Sequence, residues 1–198
     1  FNQPPLGYLF DPFSGNPALR PETARSAELG LQWAAHGQIV RATLFTTRID
    51  DLLDYDFNTS KFNNVSAARN RGLEVSHTGK WGRASTHASL TLQDPVNRST
   101  GQRLVRRASA MASAGASVPL GDWSLGGDVR VTGDRADVSN RPDLGGYALV
   151  NLTARRRLGT DWSLTARVDN LTDRSYQTAY GYNQPGRGFY VGLQWSPR

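Results

Sequence analysis

Apolar residues alternate with small or polar residues along most of the chain, and this period of two indicates β-strands rather than helices. In residues 24–35, Leu29 and Leu31 share one face, while Glu28 and Gln32 lie on the other. Nine segments show the alternation: residues 24–35, 38–48, 64–78, 83–93, 104–118, 123–132, 145–158, 162–171 and 188–195. The pattern therefore predicts an all-β, antiparallel fold.

The connections between the predicted strands alternate between short and long. They are turns at residues 36–37, 79–82, 119–122 and 159–161, and loops at residues 49–63, 94–103, 133–144 and 172–187. Most strands exceed the usual length of about 5–6 residues, and a tilted strand needs about 9–11 residues to cross a membrane. Tight turns at one end and long loops at the other are the plan of an outer-membrane β-barrel. We expect residues 1–23 to form an extracellular loop and residues 24–195 to form nine transmembrane strands.

The aromatic residues separate between the two ends of the predicted strands. Tryptophans fall at the short-turn end and tyrosines at the long-loop end. Amphipathic aromatic rings collect at both membrane–water interfaces of a barrel, whereas a sandwich core would scatter its tryptophans. A periplasmic aromatic girdle is therefore predicted for Trp33, Trp81, Trp123, Trp162 and Trp195.

The chain has 198 residues, no cysteine and a net charge of +6, and only two of its 23 basic residues are lysines. Such a charge first suggests nucleic acid binding through phosphate neutralisation. Five arginines, however, fall on the apolar face at the long-loop end, where no Asp or Glu accompanies them. Arginine at a membrane rim can keep its charge in the polar layer and pair with phosphates. We expect lipopolysaccharide, not nucleic acid, to face Arg25, Arg48, Arg69, Arg71 and Arg106.

The number of predicted strands is odd, whereas a bacterial barrel made from one chain closes with an even number. An open sheet with an apolar outer face would also aggregate through its edges. We therefore expect the chain to be a portion of a larger barrel. The chain opens on Phe1 without a signal-peptide pattern, as expected for a mature segment or a fragment. No apolar run approaches the ~18 residues of a membrane-spanning helix.

Several short motifs follow one another in the order in which they occur in a known family. They are NPALRPE at residues 16–22, ELG at 28–30, RGLE at 71–74, VDNLTDRSY at 168–176 and YNQPGR at 182–187. Together they resemble the TonB-dependent outer-membrane receptors over nearly the whole chain. The segments GYALVNL at residues 146–152 and YGYNQPGR at 180–187 are most similar to the vitamin B12 (cobalamin) receptor group. Residues 196–198, which follow Trp195, depart from the family's usual aromatic ending.

This resemblance implies a 22-stranded barrel in the outer membrane of a Gram-negative bacterium, with these strands as its last nine. The amino-terminal plug domain would be absent from the chain, and coupling to the TonB–ExbB–ExbD complex would pass through that missing part. The barrel-assembly machinery would insert the protein. The implied function is active import of a large scarce nutrient, cobalamin, with a ferric siderophore or haem as the alternative. An outer-membrane enzyme barrel is the alternative of another class, but the three separate histidines suggest no catalytic triad, and we expect no enzyme and no cofactor.

Ligand contacts are expected from tyrosine and asparagine side chains in the long loops, because flat amphipathic rings and amides suit a corrinoid or a ferric chelate. The candidates are Tyr55, Asn58, Tyr176, Tyr180, Tyr182 and Asn183. Asp54 and Asp56 have the opening spacing of a calcium loop. Thr59 and Val65 stand where an EF-hand needs Gly and Glu, so these two aspartates are only weak calcium candidates, and no other metal site is predicted.

Overall fold

The computed structural model describes residues 1–138 and 141–197, without the side chains of residues 65 and 66. Residues 139–140 of the predicted 133–144 loop and Arg198 lie outside the described residues. A short helix, α1, spans Leu6–Phe10. The strands are β1 (Thr23–Ala35), β2 (Gln38–Asp56), β3 (Lys61–Trp81), β4 (Ala84–Gln93), β5 (Val96–Asn97), β6 (Ala110–Leu120), β7 (Trp123–Thr132), β8 (Tyr147–Leu158), β9 (Trp162–Asp169), β10 (Gln177–Ala179), β11 (Tyr182–Asn183) and β12 (Gly188–Trp195).

Nine long strands form one antiparallel sheet in the order β1-β2-β3-β4-β6-β7-β8-β9-β12, while β5 pairs with β3 and β10 with β11. Each long strand neighbours the next one along the chain, as in an up-and-down barrel. The sheet is not closed, so β1 and β12 form its two edges. The predicted all-β, antiparallel fold is confirmed.

Cross-strand register keeps the two faces of the sheet distinct. Leu29 lies opposite Leu44, and Leu44 lies opposite Leu73. On the other side, Glu28 lies opposite Phe45. We call the face that carries the leucines the outer face and the face that carries Glu28 the inner face.

The short turns gather at one end of the sheet, as predicted. Between β1 and β2, His36 and Gly37 both have positive φ, at 50° and 74°. Two consecutive residues with positive φ define the type I′ turn that matches the twist of a two-residue hairpin. The tight turn therefore follows from the chain's own sequence at this point.

The strands depart from prediction mainly at the long-loop end. The predicted 49–63 loop is largely strand, because β2 and β3 stay paired up to Asp56 and Lys61. Its acidic residues suggest a loop, but a solvated hairpin can carry polar residues on both faces. Asp51, with φ at 59°, interrupts the pairing locally, and the register is the same on both sides of it.

Other loop segments also differ from the predicted boundaries. Residues 104–109, predicted as the start of a strand, lie outside any strand, and β6 begins only at Ala110. Arg106 has positive φ, at 59°, which breaks the extended backbone there. The predicted loop at residues 172–187 contains the small β10–β11 hairpin.

Buried apolar residues are concentrated at the long-loop end rather than along the sheet. Leu52, Ala68 and Leu104 form a small core, with Ile49 packed against it. The outer face of the sheet is open, and Leu31 is 77% exposed. In the parts of the chain that are described, no helix is long and apolar enough to cross a membrane.

Candidate ligand-binding surface

The six predicted ligand-binding residues fall into two groups at the long-loop end. Tyr55 and Asn58 lie at the tip of the β2–β3 hairpin. The others belong to the connection between β9 and β12, and they are Tyr176, Tyr180, Tyr182 and Asn183. In the order of the sheet, four strands separate β3 from β9, so the structure does not bring all six residues into one cluster.

The tip of the β2–β3 hairpin carries an aromatic cluster. The ring of Tyr55 meets Phe57 and Phe62 edge-on, with centroids 5.0 Å and 5.2 Å away. Tyr8, from the segment before β1, stacks on Phe62 at 3.8 Å. These contacts fix the orientation of Tyr55 and tie residues 1–23 to the hairpin.

The turn at this tip is held by Asp56. Its carboxylate accepts hydrogen bonds from the Asn58 N–H and the Thr59 hydroxyl, both at 2.9 Å. The bond from Asn58 is the main reason why the pKa of Asp56 lies below its usual value, with Thr59 adding to the effect. Among the described residues, no group of three or more Asp, Glu, His or Cys side chains could hold a metal ion. The calcium-binding role of Asp54 and Asp56 stays a prediction.

The second group is built on the inner side of β8. Tyr176 packs against Tyr147, with ring centroids 4.3 Å apart, and the guanidinium of Arg135 lies 5.4 Å from the Tyr147 ring centre. Tyr147 lies opposite Thr132 on the inner face, so the β9–β12 connection folds over this face. Burial, followed by the nearby Tyr147, raises the pKa of Tyr176.

Asp137 joins three loop segments through its buried carboxylate, whose side chain has 0% exposure. It accepts hydrogen bonds from the Tyr180 N–H at 2.6 Å, the Val138 N–H at 2.8 Å and the Arg106 guanidinium at 3.1 Å. Burial by itself would raise the pKa of Asp137, but these donors outweigh burial and the pKa is lowered. We call these four residues the Asp137 network.

A cavity of about 280 Å³ lies beside this network. Tyr147, Tyr176 and Tyr180 line it, together with Arg174 and Gln177. Aromatic faces with a cationic group and an amide provide both stacking and hydrogen-bond donors. A cavity of this size suits one part of a large ligand rather than the whole of it.

Two of the candidates stand on the small β10–β11 hairpin. Tyr182 is 70% exposed, which leaves its ring free to contact a ligand. The Asn183 side-chain oxygen accepts a 2.7 Å hydrogen bond from the Gln177 amide, which orients it.

The VDNLTDRSY motif owes its local shape to Asn170. The Asn170 side chain accepts a 2.8 Å hydrogen bond from the Arg174 N–H and donates one of 2.9 Å to the Arg174 carbonyl. Its own N–H donates to Asn151 of β8 at 3.0 Å. Asn170 therefore shapes the turn that carries Tyr176, and it is 4% exposed.

The predicted lipopolysaccharide-facing arginines separate into three sets. Arg25 and Arg48 lie opposite each other on β1 and β2. Arg69 and Arg71 of β3 both pair with the Asp94 carboxylate at 3.2 Å. Arg106 lies outside any strand and pairs with Asp137.

The expectation that no acidic residue accompanies these arginines is wrong. Asp94 follows β4 directly, and its N–H bonds to the Arg71 carbonyl, which continues the ladder by one residue. It therefore stands beside Arg71 on the outer face. The predicted strand, 83–93, ends one residue too early to reveal it.

The predicted girdle tryptophans are all on the exposed outer side at the short-turn end, with exposures between 42% and 66%. Trp162 lies opposite Trp195, with ring centroids 6.3 Å apart. Arg156 lies over the Trp123 ring at 5.4 Å. His36, in a short turn, belongs to this same end of the sheet.

Sequence reasoning missed four residues of the second group: Arg135, Asp137, Arg141 and Tyr147. Arg141 lies over the Tyr180 ring at 5.1 Å, and Arg135 donates to the Gln177 and Thr178 carbonyls. For Arg135, Asp137 and Arg141, a charge in a loop was the available signal, but a charged loop residue is ordinarily solvated. Only the packing of one loop on another buries Asp137.

The comparisons with known proteins agree with this architecture. A family model described as "TonB dependent receptor-like, beta-barrel" matches residues 1–171. The chain belongs to the TonB-dependent receptor β-barrel family, and the predicted resemblance is confirmed.

Relatives within the family carry different names. The "Vitamin B12 transporter BtuB" of Vibrio cholerae serotype O1 (strain ATCC 39541 / Classical Ogawa 395 / O395) is 32% identical over 98% of this chain and 33% of its own length. The chain thus spans about a third of that relative. The solved structure of "Copper transporter OprC" matches 98% of this chain and 35% of its own, with a TM-score of 0.83 and 23% identity. A ferric enterobactin receptor (PfeA) mutant from Pseudomonas aeruginosa matches 91% of this chain and 32% of its own, with a TM-score of 0.76 and 24% identity.

Proposed function

We propose that the chain is the carboxyl-terminal portion of a Gram-negative outer-membrane receptor that imports cobalamin. The observation that carries this proposal is the aromatic surface of the second group, where Tyr147, Tyr176 and Tyr180 line a cavity on the inner side of the sheet. Flat rings beside amide and guanidinium donors suit the broad face and polar amides of a corrinoid. The 32% identity to a protein named as a vitamin B12 transporter favours cobalamin within the family.

The receptor would capture its ligand with the long loops. Energy from the TonB–ExbB–ExbD complex would then act on a plug domain in another part of the full-length protein. The barrel-assembly machinery would insert the strands into the outer membrane. A ferric siderophore is the second candidate ligand, because a ferric enterobactin receptor shares the fold.

Uptake by the full-length receptor tests the proposal. The receptor is expressed in a Gram-negative host that lacks its own cobalamin and catecholate receptors, and accumulation of radiolabelled cyanocobalamin and of iron-labelled ferric enterobactin is measured. We expect cobalamin to accumulate only when TonB is present. Uptake of the iron chelate without cobalamin would disprove the cobalamin assignment and leave the receptor class intact.

A pair of variants tests the surface itself. Tyr180→Ala removes a ring that lines the cavity and should weaken cobalamin binding several-fold in an equilibrium binding assay on the full-length receptor. Tyr190→Ala removes an inner-face tyrosine of β12 outside this cavity and serves as the matched control. Equal loss of binding in both variants would contradict the assigned surface.

A further inference from the structure

Three arginines lie side by side on the outer face, near the long-loop end of the first three strands. Arg25 of β1 is the cross-strand partner of Arg48 of β2, and Arg48 is the partner of Arg69 of β3. Cross-strand partners have Cβ atoms about 4.5–5.5 Å apart, so like charges placed there repel each other. We call these residues the arginine row.

Three carboxylates near the arginine row form ion pairs, and none of these pairs includes Arg25 or Arg48. The ion pairs here are Arg20–Asp51, Arg98–Asp50, Arg69–Asp94 and Arg71–Asp94. Within residues 1–138 and 141–197, Arg25 and Arg48 make no ion pair, and both side chains are exposed. Two adjacent guanidinium groups thus lack an ion-pair partner among the described residues.

The arginine row stands at the edge of the apolar outer face. On the outer face, the next pair toward the short turns is Ala27 and Thr46, and the pair after that is Leu29 and Leu44. With a rise of about 3.3 Å per residue and a tilt of about 40°, Arg25 lies about 20 Å from Trp33 along the membrane normal. This separation approaches the ~25 Å height of the apolar band of a barrel. Trp33 and the arginine row therefore mark its opposite rims.

We propose that Arg25 and Arg48, flanked by Arg69, bind a phosphate group of lipopolysaccharide in the outer leaflet. A phosphate carries up to two negative charges and several acceptor oxygens, so it can receive hydrogen bonds from both guanidinium groups and remove their mutual repulsion. Arg69 contributes less charge, because Asp94 already pairs with it. Arg106 takes no part, because it points to Asp137. The inference rests on the outer-membrane placement proposed above.

Lipid retention by the full-length receptor tests this site. The receptor is extracted from outer membranes in phosphate-free detergent, and the lipid A that remains bound to each receptor is measured by mass spectrometry. The double variant Arg25→Gln/Arg48→Gln should retain about tenfold less lipid A than the wild type, because both charged contacts are lost. The variant Arg83→Gln/Arg156→Gln removes the same charge at the turn end and should retain the wild-type amount.

A second measurement uses only the wild-type receptor, so it does not depend on whether a variant folds. The receptor is placed in vesicles that contain either phosphorylated lipid A or lipid A from which a phosphatase has removed the phosphates. The lipid A that each receptor retains is then measured, with or without added inorganic phosphate. We expect about tenfold stronger retention of the phosphorylated lipid, with little competition from inorganic phosphate. Equal retention of the two lipids, or their displacement by inorganic phosphate alone, would overturn the inference.

The two proposals fail in different ways. Membrane fractionation shows whether the receptor reaches the outer membrane, and a failure there concerns the proposed function. Equal lipid A retention by both double variants, in folded receptor recovered from the outer membrane, would overturn the phosphate site alone. Folded receptor is identified by its heat-dependent migration on gels.

Discussion

Asp137 shows how one residue can hold a binding surface in shape. A buried carboxylate is costly unless charged or N–H donors satisfy it, and here Tyr180, Val138 and Arg106 supply three of them. The donor from Tyr180 places that tyrosine over the cavity. Asp137 is therefore a positioning residue, and its contribution should exceed that of an exposed ion pair nearby.

The variant Asp137→Asn should loosen the described parts of the β7–β8 connection, residues 133–138 and 141–146. It removes the negative charge that three donors share, and it should destabilise the loop by about 1–3 kcal/mol. Faster trypsin cleavage after Arg135, a buried residue of the same loop, measures this effect. Asp134→Asn is the matched control, since its ion pair with Arg103 is exposed and solvent-exposed pairs contribute little to stability. Equal cleavage rates in the two variants would disprove the role of Asp137.

Acid should loosen the β7–β8 connection in the same way as Asp137→Asn. Because folding lowers the pKa of Asp137, its stabilisation is present above the ordinary value of 3.8 and is lost as the pH falls below it. Cleavage by a protease active in acid, compared at pH 5 and pH 3, should therefore increase more for the wild type than for Asp137→Asn.

At the scale of an element, the β2–β3 hairpin departs most from the predicted boundaries. It also explains the glycine of the RGLE motif, Gly72. On the inner face, the ring of Phe45 lies across Gly72, and a Cβ added there would come within 2.7 Å of the ring. Gly72 also packs closely against the Leu92 backbone of β4. The motif thus serves the packing of three strands rather than a ligand.

Gly72→Ala should destabilise the barrel by about 1–3 kcal/mol, because the backbone or the Phe45 ring must move. The matched control is Gly30→Ala, an inner-face glycine of β1 where an added Cβ would meet its nearest atom, on Thr43, at 3.6 Å. The temperature at which the folded full-length receptor loses its fast migration on gels measures the effect. A transition that falls equally for both variants would contradict the packing argument.

At the scale of the whole molecule, large apolar side chains of the sheet are exposed, whereas an ordinary globular domain buries them. Leu31 and Val191, on strands at opposite edges of the sheet, are each 77% exposed, while the small core lies at the long-loop end. A continuous apolar face of this extent requires an apolar environment. Membership of the receptor family supports lipid as that environment.

Quenching by brominated lipids tests which side faces lipid. In full-length receptor reconstituted with such lipids, a variant that retains only Trp195 should be strongly quenched, most of all by bromines near the headgroups. The control also carries a single tryptophan, introduced by Tyr190→Trp on the inner face of the same strand. Its fluorescence should be little affected, and similar quenching of both would contradict the assignment of the faces.

The sequence by itself determined the strands, their faces and their order, because a period of two and alternating turn lengths are local properties that follow from backbone geometry. The positions of Trp33 and Leu29 on one face, and the tight turn at His36 and Gly37, could thus be predicted. The extension of β2 and β3 could not, because acidic residues mark a loop and an exposed hairpin equally well.

Only the tertiary structure decided which predicted site residues meet. It joined Tyr176 to Tyr147, hydrogen-bonded the buried Asp137 to the Tyr180 backbone, and left Arg25 and Arg48 without an ion pair among the described residues. These outcomes depend on contacts between segments far apart in the chain, and such contacts leave no periodic signal in the sequence. The arginines looked alike in the sequence, but the register of the sheet and the folding of the loops gave them different partners.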